Sequence, residues 1–501
     1  MKQNSLLIFA LFLSLHLMTA DPGRAQLTLS ELGYDTDSPL SVENCIEIAL
    51  SGNPAHQKYK TGITLSSSNE LAAWGSFLPN LTGGFSLYDD DYYNATYTWP
   101  DGSIVSRPIN IPIPADTSLI WNDVNGNGTL EPEEIEALTT AASTQVINPS
   151  DGTRKYSSGY LQLTYSLFSG GRDFYNVKNA RASKKVSEYN LDRDSQLLAY
   201  NVSNAYFDVL ANQQLLELAI RVLDQRKEQF RLATARYNVG SVTKLDVMQA
   251  EIDLGIQENQ FLQSEQELKI SRMEINRLMG IYLEESYNVV DDSVLFAPVF
   301  DPTKLVRTAL DNRPDLKMYE AQLSAYNSTV MAERGSYLPA INFDLQFSKD
   351  ELDDTDWTFN PINRDTRYGF NLTWDFFSGF SRENRVKQAQ VNALNSKYDI
   401  MDSKLSIEKE VKEAVLNLER IYSQSLITRK NRELARKTLT LERERYRLGS
   451  ASLLDLRSAQ VTHIQAETDH ISKLLEFKTT LALLEYATGF GLDEGKIGGS
   501  Q

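Results

Sequence analysis

Two periodicities alternate along this chain. Leu161-Gln162-Leu163-Thr164-Tyr165-Ser166-Leu167 places Leu and Tyr on one face and Gln, Thr and Ser on the other. Residues 341–347 and 370–376 repeat the pattern, and 82–87 carry a glycine-containing version with Phe85 and Leu87 on the apolar side. Period-two alternation predicts four strands, each with one apolar face. A transmembrane strand set around a polar lumen and a half-buried soluble sheet both have this signature, so both stay open at this point.

Between the strands the period lengthens. Residues 172–238 and 381–447 are rich in Ala, Leu, Glu, Gln, Lys and Arg and contain no proline. Leu216, Leu223, Phe230 and Tyr237 recur every seven residues, the spacing of a coiled-coil seam. A helix of that length reaches about 100 Å at a rise of 1.5 Å per residue. Gly240 and Gly449 interrupt the two runs, and a second helical run follows each, over 243–279 and 452–487. Glycine followed by Ser or Thr reads as a helix stop and a new N-cap. Helical hairpins are therefore expected over 170–280 and 379–487.

The two halves align. Phe168-Ser169-Gly170-Gly171 recurs as Phe377-Ser378-Gly379-Phe380, and Arg236-Tyr237-Asn238-Val239-Gly240-Ser241 as Arg445-Tyr446-Arg447-Leu448-Gly449-Ser450. Both pairs, and Asp246 with Asp455, are 209 residues apart. Upstream, Asn53-Pro54 matches Arg313-Pro314 and Leu78-Pro79 matches Leu338-Pro339, at an offset of 260. The difference places 51 extra residues in the first half between Pro79 and Phe168, as an insertion about 89–158. The expected organisation is a signal peptide over 1–25, repeat 1 over 26–300, repeat 2 over 301–489 and a flexible C-terminal tail over 490–501. Each repeat runs helix, strand, loop, strand, long helix, turn, helix, and the pair is an internal duplication.

Composition narrows the class. The chain has 501 residues, a formal net charge of −17 and one cysteine, Cys45. One cysteine excludes an intramolecular disulfide, and the acidic balance argues against nucleic acid as a partner. Lys2, the apolar run 6–18 and Gly23-Arg24-Ala25 read as a signal peptide cleaved before Gln26. Beyond residue 25 nothing is apolar enough for a transmembrane helix, so entry into a membrane requires a closed barrel with every backbone group paired. No nucleophile–base pair or phosphate loop stands out, and no enzymatic activity is expected.

At this point the chain resembles the TolC family of outer-membrane efflux proteins, over nearly all of its mature length. The resemblance rests on the duplicated Leu-Pro before a strand, the Phe-Ser-Gly after one, and the Arg-Tyr-x-x-Gly-Ser…Leu-Asp tips. It implies a membrane α+β fold: a homotrimer whose 12-stranded β-barrel in the outer membrane takes four strands from each protomer, continued by a periplasmic α-helical coiled-coil tunnel. It implies an exit duct of a tripartite efflux or type I secretion system. The duct passively conducts substrates from periplasm to exterior when docked to a periplasmic adaptor and a proton-driven or ATP-driven inner-membrane exporter. The remaining readings are an exported coiled-coil spacer bridging the envelope and a calcium-dependent surface adhesin. A spacer has no need of four amphipathic strands.

The resemblance also implies roles for residues. Val239, Gly240, Ser241 and Leu245, with Leu448, Gly449, Ser450 and Leu454, match the periplasmic tips that adaptors contact. Glycine there also simply lets the chain reverse. Asp246, Tyr446 and Asp455 match a constriction at the tunnel mouth, where threefold acidic rings would favour cations. Helix capping explains an acid in a first turn equally well. The family's arginine two residues past the second tip glycine is here Ala451, so the latch is incomplete at that position; Lys244 and Arg457 are the candidates to substitute, and nothing in the sequence selects either. Asp344 and Asp375 fall on the polar phase of their strands and are expected to face the barrel lumen.

The insertion carries a motif that the resemblance does not predict. Residues 123–134 fit an EF-hand loop, with Asp123, Asn125 and Asn127 at positions 1, 3 and 5, Gly128 at 6, Thr129 at 7 and Glu134 at 12. A calcium ion in the extracellular insertion is expected from it, and no cofactor is required for transport. The other reading is an Asn-Gly-rich surface turn.

Overall fold

The computed structural model describes residues 28–31, 34, 39–98, 104–108, 148–290, 296–353, 363–448 and 450–489. The signal-peptide span, the C-terminal tail, Gly449 and the calcium-loop residues Asp123, Asn125, Asn127, Thr129 and Glu134 lie outside the described residues. In chain order the elements are α1 (Val42–Gly52), α2 (Pro54–Gly75), β1 (Asn80–Thr98), β2 (Ile104–Pro108), β3 (Asn148–Phe168), α3 (Arg172–Asn238) and α4 (Lys244–Met279). Then follow α5 (Pro302–Asn312), α6 (Pro314–Gly335), β4 (Ala340–Asp353), β5 (Asn363–Thr373), α7 (Ser381–Arg447) and α8 (Leu453–Thr488).

Helix lengths match between the halves. α3 and α7 have 67 residues each, and α4 and α8 have 36 each. Their starts, 172 with 381 and 244 with 453, keep the 209-residue offset. Among the described residues no helix is long and apolar enough to cross a membrane.

The chain divides into two compact units, of which one holds the strands (Ala72–Tyr175 and Met331–Arg385). Its antiparallel sheet has the order β2-β1-β3-β4-β5. Cross-strand register puts Leu163, Leu345 and Tyr368 in one row and Tyr165, Phe343 and Phe370 in the next. Leu81 pairs with Leu163, so the apolar face continues across β1. The opposite face carries Gln162, Thr164, Asn342, Asp344, Gln346 and Asn371. Among the described residues no second layer covers the apolar face, and Leu81, Phe85, Leu161, Phe370 and Leu372 are exposed. Among the described residues, β5 and the 80–93 stretch of β1 each have one edge without a strand partner.

The structure corrects two expectations here. β1 and β3 stay paired from Asn80↔Thr164 to Thr96↔Asn148, so the ends of the expected 89–158 insertion are strand. Alternation could not reveal this, because Tyr88-Asp89-Asp90-Asp91-Tyr92-Tyr93 has no apolar phase. Asp375 is not on a strand. The ladder between β4 and β5 closes at Ala340↔Thr373, and beyond Thr373 there is no partner to hold an extended chain.

The second unit is helical. Its first core packs Cys45, Ile48 and Ala49 of α1 against Val202, Tyr206 and Val209 of α3 and Ile275 and Met279 of α4. Burial pushes the Cys45 thiol up to about 12. The Tyr206 hydroxyl lies 2.9 Å from the Leu40 carbonyl and 2.6 Å from that of Val290, and accepts the Val290 N–H at 3.0 Å. A second core packs Ala309 and Leu316 against Ile407, Val411 and Leu418 of α7 and Phe477 and Leu484 of α8.

Each core sits beside a helix break that holds the end of a returning helix. Asn53, fixed before Pro54, accepts the N–H groups of Ala55 and His56 at 2.8 and 3.0 Å, capping α2. Its side-chain amide donates to the Leu278 carbonyl at 2.7 Å, one of the orphan acceptors at the end of α4. In the second half Arg313 stands before Pro314 and donates to the Ala487 carbonyl at 3.2 Å, near the end of α8. Only 3% exposed, Arg313 also pairs with Asp315 at 2.6 Å and Glu410 at 2.5 Å. Burial alone would raise the Asp315 carboxyl, but Arg313 and Arg193 hold it below the usual carboxylate range. Arg193 and Gln196 of α3 donate to the carbonyls of Tyr486 and Gly489, and the Arg193 guanidinium lies 3.8 Å from the Tyr486 ring centre.

The glycine ending α4 shows how close this approach is. Gly280 has φ 73°, and a Cβ there would lie 2.3 Å from the Gly52 carbonyl oxygen. Gly240, with φ 75°, has open space around it. Gly240→Ala is therefore expected to cost only the left-handed strain, about 1–2 kcal/mol. Gly280→Ala adds a backbone clash worth about 1–3 kcal/mol more. Denaturant titration of the two variants checks the difference, and equal losses would contradict the close-approach account.

Candidate functional site

The hairpin tips are built by local rules. α3 ends at Asn238, and the Gly240 and Ser241 N–H groups turn back to the carbonyls of Tyr237 and Arg236, both at 2.9 Å. α4 then starts with a capping box. Thr243 Oγ1 accepts the Asp246 N–H at 3.3 Å, while Asp246 Oδ2 accepts the Thr243 N–H at 2.9 Å and its hydroxyl at 2.8 Å. The second tip repeats the construction. Ser450 N–H reaches the Arg445 carbonyl at 2.8 Å, and Ser452 and Asp455 form a capping box at 3.2, 3.0 and 2.7 Å.

Asp246 and Asp455 are thus capping carboxylates in this geometry. Hydrogen bonds from the Thr243 and Ser452 hydroxyls, and then from their backbone N–H groups, hold both below the usual aspartate range. The apolar tip side chains behave differently. Val239 is 79% exposed, Leu245 73%, Leu448 72% and Leu454 75%. Four large aliphatic groups concentrated on two turns are left uncovered among the described residues.

A cleft of about 260 Å³ separates the two hairpins near the tips. It brings together Asp246, Asp253, Tyr446, Arg457 and Gln460. Tyr446 packs against Leu439, Leu456 and Ala459, and it shares the cleft with Asp246 without a hydrogen bond between them among the described residues. Arg457 of α8 pairs with Asp253 of α4. Arg226 Nη1 reinforces this from α3, donating to Gln460 Oε1 of α8 at 2.9 Å. Of the two basic substitutes named for Ala451, Arg457 crosses between the hairpins. Asp253 was not legible as its partner, because 204 residues separate them.

Asp344 lies on the polar face of the sheet and accepts the Thr164 hydroxyl at 3.0 Å. Asp375 is exposed beyond the strand, and its backbone carbonyl accepts Arg382 Nη2 at 2.8 Å. Among the described residues no group of three His, Cys, Asp or Glu side chains could hold a metal ion.

Comparison with known proteins places this arrangement. The model of the family described as Outer membrane efflux protein matches residues 136–281 and 305–489. The pyoverdine export outer membrane protein OpmQ of Pseudomonas aeruginosa is 23% identical over 338 residues, covering 65% of this chain and 68% of that protein. The outer membrane efflux protein BepC of Brucella suis biovar 1 is 24% identical over 335 residues, covering 64% of this chain and 71% of that protein. In fold, the chain is similar to the crystal structure of the Campylobacter jejuni CmeC outer membrane channel. The TM-score is 0.68 at 16% identity, over 89% of this chain and 85% of that one.

The tip carboxylates predict a pH response. Their folded pKa values lie below the unfolded ones, so the capping contribution is whole above about pH 4. It is lost as pH falls through the folded values. Hydrogen exchange of the first turns of α4 and α8, corrected for intrinsic rate, should lose protection on acidification, and Ser452→Ala should reduce protection at α8 by about 1 kcal/mol at neutral pH. Unchanged protection in that variant would remove the capping role.

Proposed function

The chain belongs to the outer membrane efflux protein family and resides in the outer membrane, and we propose that it is the exit duct of a tripartite export system. The single observation that carries this is the sheet: among the described residues, four long strands have one uncovered apolar face, one polar face and two open edges. In a bilayer such edges must be paired. Closure with two further copies joins β5 of one protomer to β1 of the next, giving a twelve-strand barrel with Asp344 facing its lumen. The equal hairpins of the two halves, read as an internal duplication, would then bring all six tips to one depth in a periplasmic tunnel. The exposed Val239, Leu245, Leu448 and Leu454 suit a partner that brings its own apolar helices, the adaptor that joins the duct to an inner-membrane pump. OpmQ is named for pyoverdine export and CusC of Escherichia coli for cation efflux, so membership of the family leaves the cargo open.

In this reading Arg457 and Asp253 tie the hairpins together at the narrow end, with Tyr446 filling the cleft beside them. Acidic side chains at the six tips, Asp246 and Asp455 among them, favour cations through the closed state. The purified protein is expected to run as a trimer and to form small, cation-preferring channels in planar bilayers. Arg457→Ala should raise the single-channel conductance, and Asp253→Ala should do the same without adding to it. A monomer without conductance would sink the duct, whereas additive effects would remove only the tie.

The calcium loop stays part of the proposal. Asp123, Asn125, Asn127, Thr129 and Glu134 supply oxygen ligands in EF-hand order, and an extracellular site needs only weak affinity. Terbium luminescence should saturate on the wild-type protein and weaken at least tenfold in affinity in Glu134→Gln, estimated from the loss of about 1.4 kcal/mol or more of bidentate ligation. Equal affinity in the two would dismiss the site.

A further inference from the structure

The helical unit holds a second space between its helices, beside the tip cleft. A cavity of about 430 Å³ lies between α3, α7 and α8. Leu218, Val222 and Leu439, all buried, form an apolar wall. Arg226, Arg436 and His463 line the same cavity.

These three polar groups have donors to spare. Arg226 is half-buried, and its hydrogen bonds go to neutral acceptors. Its Nη1 donates to Gln229 Oε1 at 2.8 Å and to Gln460 Oε1 at 2.9 Å, while Nε and Nη2 have no partner among the described residues. Burial pushes its guanidinium below the usual arginine range, with Asp253 opposing the push and Arg457 adding to it. Arg436 has no ion pair among the described residues, and nearby Glu433 is held by Lys437 at 2.8 Å. His463 Nδ1 is buried and likewise has no hydrogen-bond partner among the described residues. Buried polar atoms are seldom left in that condition.

The neighbouring carboxylates are already engaged. Glu467 pairs with Arg432 and Glu217 with Arg221, each at 3.9 Å. Two guanidinium groups therefore stand in surplus at one cavity, in a chain whose formal net charge is −17. Two turns along α8, the buried His470 records the same field. Burial first, then Arg432 and Arg429 against Glu467, holds its imidazole below the usual histidine range.

The chemistry of the lining selects the ligand. A guanidinium edge with free N–H groups matches a carboxylate in bidentate fashion. A bare inorganic anion would leave the apolar wall without a partner. The volume falls in the range of small-molecule pockets, about 300–1,000 Å³. We propose that this cavity binds a small organic acid, whose carboxylate is taken by Arg226 and Arg436 with His463 Nδ1–H as a third donor, and whose apolar body lies on Leu218, Val222 and Leu439. The site uses no tip residue and its occupancy does not depend on conduction.

Benzoate tests the site on the full chain in lipid nanodiscs, with inorganic phosphate and benzylammonium for comparison. Titration calorimetry should show one benzoate per protomer, phosphate weaker by about tenfold or more, and no binding of benzylammonium. Arg436→Gln and His463→Gln should each weaken benzoate by about tenfold, whereas Arg443→Gln, on α7 outside the cavity, should leave it unchanged. No benzoate binding up to about 10 mM overturns the site. Equal binding of phosphate overturns the organic ligand, and an equal loss in Arg443→Gln reduces the effect to general charge attraction and overturns the site as well. Histidine labelling of the wild-type protein covers a variant that fails to fold. The chain has four histidines, so one ring nitrogen resonance moving with benzoate can be assigned, and a spectrum that does not move overturns the role of His463.

Discussion

Each long hairpin is held at its base by a side chain that stands where another helix breaks. Asn53 holds the Leu278 carbonyl and Arg313 holds the Ala487 carbonyl, each just before a proline that starts the next helix. A helix end left buried without such a partner loses the solvation of its last carbonyls. The proline removes an N–H at the one position where none is needed, and the side chain before it serves the neighbour instead. Position along each hairpin is therefore set at the base, and the tips lie wherever the intervening helix length puts them. The two halves meet this requirement with different chemistry. The neutral amide is self-sufficient, whereas the buried guanidinium requires Asp315 and Glu410, and losing either carboxylate would leave a charge uncompensated.

Long helices were legible in the sequence because proline is absent from both runs and the apolar seam recurs at seven. The expected spans 172–238 and 381–447 coincide with α3 and α7. Strand existence was legible only where one face had to be apolar. The outer ends of β1 and β3 pair through Tyr, Asp, Thr and Ser, residues that have no inside or outside to mark, so their register exists in the ladder and not in the pattern. The end of β5 falls short of the alternating pattern for the opposite reason. Alternation continues through Trp374 and Phe376 after the ladder has stopped, because the aromatic rings there answer to their own contacts rather than to a neighbouring strand.

At the tips, everything local could be read: a glycine that must turn, a hydroxyl that caps, an acid three residues on. Contacts between hairpins could not. Arg457 lay open as a candidate, but the identity of its partner depends on how two helices from different halves rotate about their axes. A one-residue change in that rotation would aim Arg457 away from Asp253, since successive residues point about 100° apart around a helix with 3.6 residues per turn.

The equal helix lengths have a consequence for how such a chain can change. One residue added to α3 would lower its tip by about 1.5 Å and swing every side chain beyond it by about 100°. α7 would keep its old depth and facing. No single insertion in either helix is neutral, and repair requires a matching insertion in a segment 209 residues away. The helices are thus a paired measure, editable only together, while loops that carry no shared length are free to acquire new sequence one residue at a time.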